Sequence, residues 1–173
     1  MGAERNIIVL AGIFLVVFVC LRFAYDSMRD TWLERFILDT ITVKTSAELI
    51  GVVSPTALVH SQGHTLIGPF GRLTVALGCE GTESILLLVA AIVAFPATLK
   101  QKLFGALYGS AIVFVVNQIR IVGLFFTLQR RPEWFDALHG YLAPTAIIVV
   151  TAIYFFAWTA RVKREPLHLA HVA

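Results

Sequence analysis

Three residues of this chain have the side chains that a thiol-based acyl-transfer site requires. Cys79 directly precedes an apolar run, Arg120 lies inside another, and His139 directly precedes a third. A thiol attacks a carbonyl carbon as the thiolate, which a nearby cation or helix N-terminus stabilises. A guanidinium can stabilise that thiolate or a developing oxyanion, and an imidazole can move a proton to the leaving amine. These residue types therefore predict a nucleophile, a charge stabiliser and a general acid/base.

Each of these residues also has a simpler explanation when it is considered alone. Cys79 could be a small buried residue at a tight turn, and His139 a loop histidine at a membrane interface. Arg120 is harder to explain structurally, because an arginine inside a membrane span is costly unless it is paired or hydrated. Asn117 lies three residues earlier on the same helical face and is interpreted as a supporting polar residue or a hydrogen-bond anchor between helices. Glu80 adjoins Cys79 and is a second supporting candidate.

Long apolar segments must position these residues. Of the 173 residues, 58% are hydrophobic and 14% are charged, whereas soluble domains are about one-quarter charged. This composition predicts an all-α integral membrane protein with one membrane-embedded domain over residues 1–173. The net charge of +3 comes from basic residues beside the apolar segments, which is a membrane-orientation signal, so no nucleic-acid partner is expected.

Four segments are predicted to cross the bilayer, since about 30 Å of hydrocarbon takes roughly 20 helical residues. They are residues 6–25, 82–99, 103–128 and 141–160. The density of Lys and Arg in the short loops places both termini in the cytoplasm. Cys79, Arg120 and His139 then all lie near the outer surface, where a bundle of the four helices could bring them together.

The segment 26–81 is predicted to lie outside the membrane. Apolar residues recur at helical spacing over about 31–53, which indicates an amphipathic helix on the outer surface. Its last part is apolar enough to enter the bilayer, so the number of spans around residues 47–60 stays open. Residues 64–77 predict a short hairpin or structured loop.

No metal or other cofactor is expected. His60 and His64 are spaced as a helical metal-binding pair would be, but Ser61, Gln62 and Gly63 between them disfavour a helix. A third ligand does not stand out near them, and structural metal sites usually need four.

A longer series of motifs adds to this interpretation. It comprises Cys79-Glu-Gly, Phe95-Pro96, Lys102, Gly105, Gly109, Asn117-Gln-Ile-Arg120-Ile121, Asp136 and His139. From Leu77 to Tyr154 the chain thereby resembles the exosortase/archaeosortase family, and its small size is similar to compact forms such as exosortase H. The family more often has Ser after the cysteine, where this chain has Glu80.

The resemblance implies a membrane cysteine peptidase or transpeptidase of the bacterial inner membrane. Its partners would be membrane-anchored proteins with a C-terminal sorting signal, made of a short motif, a transmembrane helix and a basic cluster. Cys79 would be the nucleophile that forms a thioester, Arg120 the transition-state stabiliser and His139 the acid/base. Two alternatives stay open from the residues alone: a non-enzymatic membrane scaffold or assembly protein, and a thiol acyltransferase acting through Cys79.

Overall fold

The chain folds into five helices, α1 to α5, and one small antiparallel sheet, in a computed structural model that describes residues 2–76 and 79–170. Their bounds are α1 Gly2–Asp26, α2 residues 32–53, β1 His60–Gln62, β2 Thr65–Gly68, β3 Gly71–Thr74, α3 Thr82–Ala94, α4 Leu99–Arg130 and α5 residues 132–170. Helix α2 is α-helical over Trp32–Arg35 and Thr45–Val53 but π-helical over Phe36–Lys44. Helix α5 starts with the 3-10 turn Pro132–Trp134, continues through Phe135–Ala137 and the π-helical Leu138–Leu142, and is then regular over Ala143–Ala170.

Three of the helices are long and apolar enough to cross a membrane. They contain the segments Ile7–Asp26, Leu99–Arg130 and Pro132–Lys163. The predicted class, an all-α integral membrane protein, is therefore confirmed.

The second predicted span, residues 82–99, is shorter than expected. Helix α3 has 13 residues and ends at Ala94, because Phe95 precedes Pro96 and takes an extended backbone, with φ −72° and ψ 138°. A residue before proline is disfavoured in the helical region. At 1.5 Å per residue, α3 is about 20 Å long, which is less than the hydrocarbon thickness.

The fourth predicted span, residues 141–160, begins earlier than expected. The stretch between the third and fourth predicted spans, residues 129–140, was expected to form a short loop. Helix α4 instead continues to Arg130, and the chain turns back into a helix at Pro132. Proline is tolerated there because the first turn of a helix needs no backbone N–H. His139 consequently lies on a helical turn and not in a loop.

Helices α4 and α5 approach closely where α4 carries glycines. A Cβ atom on Gly105 would lie 2.4 Å from Nε1 of Trp158, and one on Gly109 would lie 2.5 Å from Cε1 of Tyr154. The hydroxyl of Tyr154 donates a hydrogen bond of 2.7 Å to the carbonyl oxygen of Gly105. Glycines four residues apart share one helical face, so this pair makes the groove that the two aromatic rings occupy.

A second layer, the cap (residues 32–76), packs on the opposite end of α4. Its core joins apolar residues of α2 and the sheet to three residues of α4; the members are Leu38, Val43, Ile50, Leu66, Leu73, Val75, Ile121, Leu124 and Phe125. Leu66 and Leu73 face each other across β2 and β3. The side-chain oxygen of Gln129 accepts a 3.0 Å hydrogen bond from the backbone N–H of Phe70, which fixes the β2–β3 turn to the end of α4.

The cap corresponds to two predicted features. The helix expected over 31–53 is present over 32–53. The hairpin expected over 64–77 is a three-stranded sheet that already begins at His60, in the order β1-β2-β3. The expected end of that hairpin, Leu77, lies outside the described residues.

Candidate functional site

Cys79 lies on the turn that leads from the sheet into α3. Its backbone N–H donates to the carbonyl oxygen of Ala76 at 2.9 Å, and its side chain is half-buried. Gly81 caps the N-terminus of α3 with φ +84°, a left-handed conformation that glycine adopts without steric cost. The turn thus places a partly accessible thiol just before the N-terminal end of an apolar helix.

Arg120 directly contacts this thiol. Its Nη2 atom donates to Sγ of Cys79 at 3.8 Å, across 41 residues of sequence. The guanidinium is half-buried, and its Nε atom has no hydrogen-bond partner among the described residues. The guanidinium can therefore stabilise negative charge on or beside the sulfur, which suits nucleophilic attack.

Asn117 packs against the turn at Gly81. Its side chain is fully buried, and a Cβ atom on Gly81 would come within 3.0 Å of Asn117 Cγ. A side chain at position 81 would clash with Asn117, so this position requires glycine for the close approach as well as for its positive φ. Asn117 therefore fixes the start of α3 against α4, one helical turn before Arg120, which agrees with a supporting position.

His139 lies at the same end of the bundle, on the π-helical turn Leu138–Leu142. Its ring stacks on Phe135 with the centroids 5.4 Å apart and the planes at 5°. Phe135 and Leu138 pack against the cap core, as Cys79 does. Within the described residues, the Nδ1 atom of His139 is buried without a hydrogen-bond partner. The structure thus brings Cys79 and Arg120 into contact, whereas His139 forms no hydrogen bond with either of them among the described residues and its Nδ1 is unpaired.

A comparison with known protein families identifies the family of this chain. The model of the family described as transmembrane exosortase (Exosortase_EpsH) matches residues 3–157. The chain belongs to the transmembrane exosortase family. This confirms the predicted resemblance, and it assigns the chain a general role in processing the sorting signals of membrane proteins. No curated protein and no solved structure matches the chain.

In this exosortase, Glu80 is more deeply built into the site than the sequence indicated. Its side chain is only 4% exposed, and Oε1 accepts a 2.8 Å hydrogen bond from the hydroxyl of Tyr25 on α1. Sequence reasoning missed Tyr25, because a tyrosine at the end of an apolar span is common at any membrane interface. The contact joins residues 55 positions apart, and neither residue type predicts it.

Gln118 is another residue whose position the sequence did not reveal. It is buried, and its side-chain oxygen accepts a 2.5 Å hydrogen bond from the hydroxyl of Ser46 on α2. Because Gln118 directly follows Asn117, one turn of α4 contacts both the start of α3 and the cap.

Several buried side-chain atoms of the candidate site residues have no hydrogen-bond partner within the described residues. Within the described residues, the buried side-chain atoms without a hydrogen-bond partner include Glu80 Oε2, Asn117 Oδ1 and Nδ2, Arg120 Nε and His139 Nδ1. Such groups are rare in folded proteins and call for an explanation, since each one left unpaired costs about 1–3 kcal/mol. Donors and acceptors that lack partners inside the protein are available to a polar ligand or to water.

Proposed function

We propose that the chain is a cysteine-dependent membrane peptidase or transpeptidase. The observation that carries the proposal is the contact between Arg120 Nη2 and Cys79 Sγ at 3.8 Å. An arginine in a membrane-spanning helix needs a partner of opposite charge or hydration. A thiolate next to a helix N-terminus supplies such a charge, and family membership supplies a reaction class in which a thiolate is useful.

The proposed reaction has two stages. The Cys79 sulfur attacks the carbonyl carbon of the scissile peptide bond, forming a C–S bond and then breaking the C–N bond, so that a thioester remains. His139 transfers a proton to the leaving amine, and Arg120 stabilises the thiolate and the oxyanion. Water or an acceptor nucleophile then attacks the thioester and gives its proton to His139, and the sulfur leaves as a thiolate.

The proposed substrates are membrane-anchored proteins with a C-terminal motif, one transmembrane helix and a basic cluster. We place the enzyme in the bacterial inner membrane with both termini in the cytoplasm. Basic residues occur at both ends of the bundle, but they are densest at the end away from Cys79, where Lys100 and Lys102 begin α4 and Arg161 and Lys163 lie in the last part of α5. This distribution supports a site that faces the periplasm.

A non-enzymatic assembly role explains fewer of the observations. It accounts for Asn117, which is fully buried against Gly81. It does not require that a guanidinium contact a thiol. A thiol acyltransferase uses the same two residues, so the species bound to Cys79 separates it from a peptidase.

Replacement of Cys79 tests the proposal. The assay uses cells that express a tagged client protein with a sorting signal from the same genome. Cys79→Ala and Cys79→Ser are expected to lower client processing by at least about 10³-fold, because each removes the attacking thiol. Cys20→Ala is the matched control, since Cys20 lies exposed on α1. Normal processing in both Cys79 variants would refute the proposal.

The intermediate distinguishes the two enzyme classes. In the parent enzyme quenched with acid during turnover, a client polypeptide attached to Cys79 and detected by mass spectrometry supports a peptidase. A lipid or other acyl group attached to Cys79 instead supports the acyltransferase.

A further inference from the structure

We propose that Tyr25 and Glu80 are positioning residues that hold Cys79 against Arg120, so that the first span is part of the active site. The inference rests on the proposed function, in which Cys79 is the nucleophile. Helix α1 then positions the nucleophile in addition to anchoring the chain in the membrane.

The first step of the argument is the burial of Glu80. A carboxylate that is 4% exposed needs a partner, because burying an unpaired charge is costly. Within the described residues, no Lys, Arg or His nitrogen forms an ion pair with Glu80. The hydroxyl of Tyr25, at 2.8 Å, is the side-chain donor that the structure supplies.

The second step is the connection from Glu80 to the thiol. Glu80 follows Cys79 directly, and Gly81 packs against Asn117 of α4. The turn that carries the thiol is therefore held on one side by α1, through Tyr25, and on the other by α4. Since α4 also carries Arg120, the position of the turn sets the distance between Sγ and Nη2.

The third step is the way in which α1 is attached. None of the residues in the most apolar window of its span is buried inside the protein. Helix α1 packs along α3, and two polar contacts also join the two helices near the thiol: the hydrogen bond between Tyr25 and Glu80, and a partly exposed ion pair between Arg22 and Glu83 at 3.5 Å. Of these two links, the Tyr25 bond is the one that reaches a residue next to the nucleophile.

The reactivity of Cys79 toward iodoacetamide at pH 7 measures the effect. The full-length protein is used in lipid nanodiscs with Cys20→Ser, so that Cys79 is the only thiol. Tyr25→Phe and Glu80→Ala are expected to slow alkylation about tenfold, toward the rate of Arg120→Gln, because a lost hydrogen bond to a buried charged group has about that effect. Glu80→Gln keeps an oxygen that accepts from Tyr25, and is expected to recover most of the rate.

Two controls separate positioning from general loss of structure. Glu83→Gln removes the exposed ion pair between the same two helices, and its alkylation rate is expected to match the parent. In the Arg120→Gln background, Tyr25→Phe is expected to cause no further slowing, since the contact it protects is already absent. Equal rates for Tyr25→Phe and the parent, or independent effects of Tyr25→Phe and Arg120→Gln, would overturn the inference.

The outcomes also distinguish this inference from the proposed function. If Cys79→Ala leaves client processing unchanged, the proposed function fails. If Cys79→Ala abolishes processing while Tyr25→Phe changes neither processing nor alkylation, only the positioning role fails. Should Tyr25→Phe not accumulate in the membrane, the Glu80→Ala and Glu80→Gln pair decides the question: equal alkylation rates in the two contradict the inference.

Discussion

The two halves of α4 are built on different principles. The half near Leu99 packs by shape, with Gly105 and Gly109 admitting Trp158 and Tyr154 so closely that a single added carbon would clash. The half near Arg130 carries Asn117, Gln118 and Arg120, whose side chains retain polar atoms without partners in the described structure. The half near Leu99 is thus closely packed, whereas the half near Arg130 carries side-chain polar atoms that have no hydrogen-bond partner among the described residues.

This difference separates stability from chemistry along one helix. Close packing without voids contributes to folding and leaves no room for a ligand. Unpaired polar groups lower stability and are retained where they serve another purpose. We therefore expect substitution of the packing glycines in the first half to change unfolding, and substitution of Arg120 in the second half to change activity.

Along α4, the largest expected effect is on activity, from Arg120→Gln. Loss of the guanidinium is expected to reduce client processing about 10²–10³-fold, as removal of an oxyanion-stabilising donor does in other enzymes. The unfolding midpoint in detergent is expected to stay near that of the parent. Arg130→Gln is the matched control, because Arg130 lies at the end of the same helix over the ring of Phe126. A fall in the midpoint that accounts for the lost activity would contradict the separation.

The next effect is on stability, from Gly105→Ala. Overpacking against Trp158 is expected to lower the free energy of unfolding by about 1–3 kcal/mol, as measured by thermal or denaturant unfolding in detergent. Gly123→Ala is the control on the same helix, since a Cβ there would meet nothing within 4 Å. Gly123→Ala is expected to be neutral or stabilising. Equal destabilisation by both would show that the packing at Gly105 is not special.

A smaller effect is expected where the cap meets α4. Ser46→Ala removes the buried hydroxyl that donates to Gln118, which should lower the unfolding free energy by about 1–2 kcal/mol. In a double-mutant cycle, Ser46→Ala should have a much smaller effect once Gln118→Leu is present, because the acceptor is gone. Additive effects of the two substitutions would rule out the direct interaction.

The smallest effect is expected at the ion pair between His64 and Asp39. Both side chains are partly exposed, at 45% and 33%, so solvent screens their attraction. Asp39→Asn is expected to change the unfolding free energy by no more than about 0.5 kcal/mol and to leave client processing unchanged. A larger loss in either measurement would show that the His64–Asp39 pair contributes more to stability or activity than its exposure predicts.

The sequence predicted the elements and the pairing of Cys79 with Arg120, because both depend on local signals. Apolar runs set the helices, and a cysteine and an arginine at the same end of neighbouring runs come close in a bundle. Pro96 also indicated an early end of α3, but the length expected of a membrane span favoured a longer helix. The motif series predicted the family, and the match of the family model over residues 3–157 confirms that family.

What the sequence did not predict depends on contacts between distant residues of ordinary type. Tyr25 and Glu80 meet only because α1 lies against α3, and nothing in either local sequence requires it. The π-helical turn at His139 is a shift in backbone hydrogen bonding without a sequence signal of its own. His139 was accordingly predicted in a loop.

The short length of α3 has a consequence for the bilayer beside it. The Nζ atom of Lys102 donates a 2.6 Å hydrogen bond to the carbonyl oxygen of Val93, so a cation caps the last turn of this helix. A charged amine belongs at the level of the lipid headgroups. From that level, about 20 Å of helix leaves roughly 10 Å of a 30 Å hydrocarbon layer uncrossed. Tyr25 joins the end of α1, which carries the charged Asp26 and Arg29, to the residue next to the thiol. That end belongs at the opposite headgroups, so the bilayer beside α3 would have to be locally thinned.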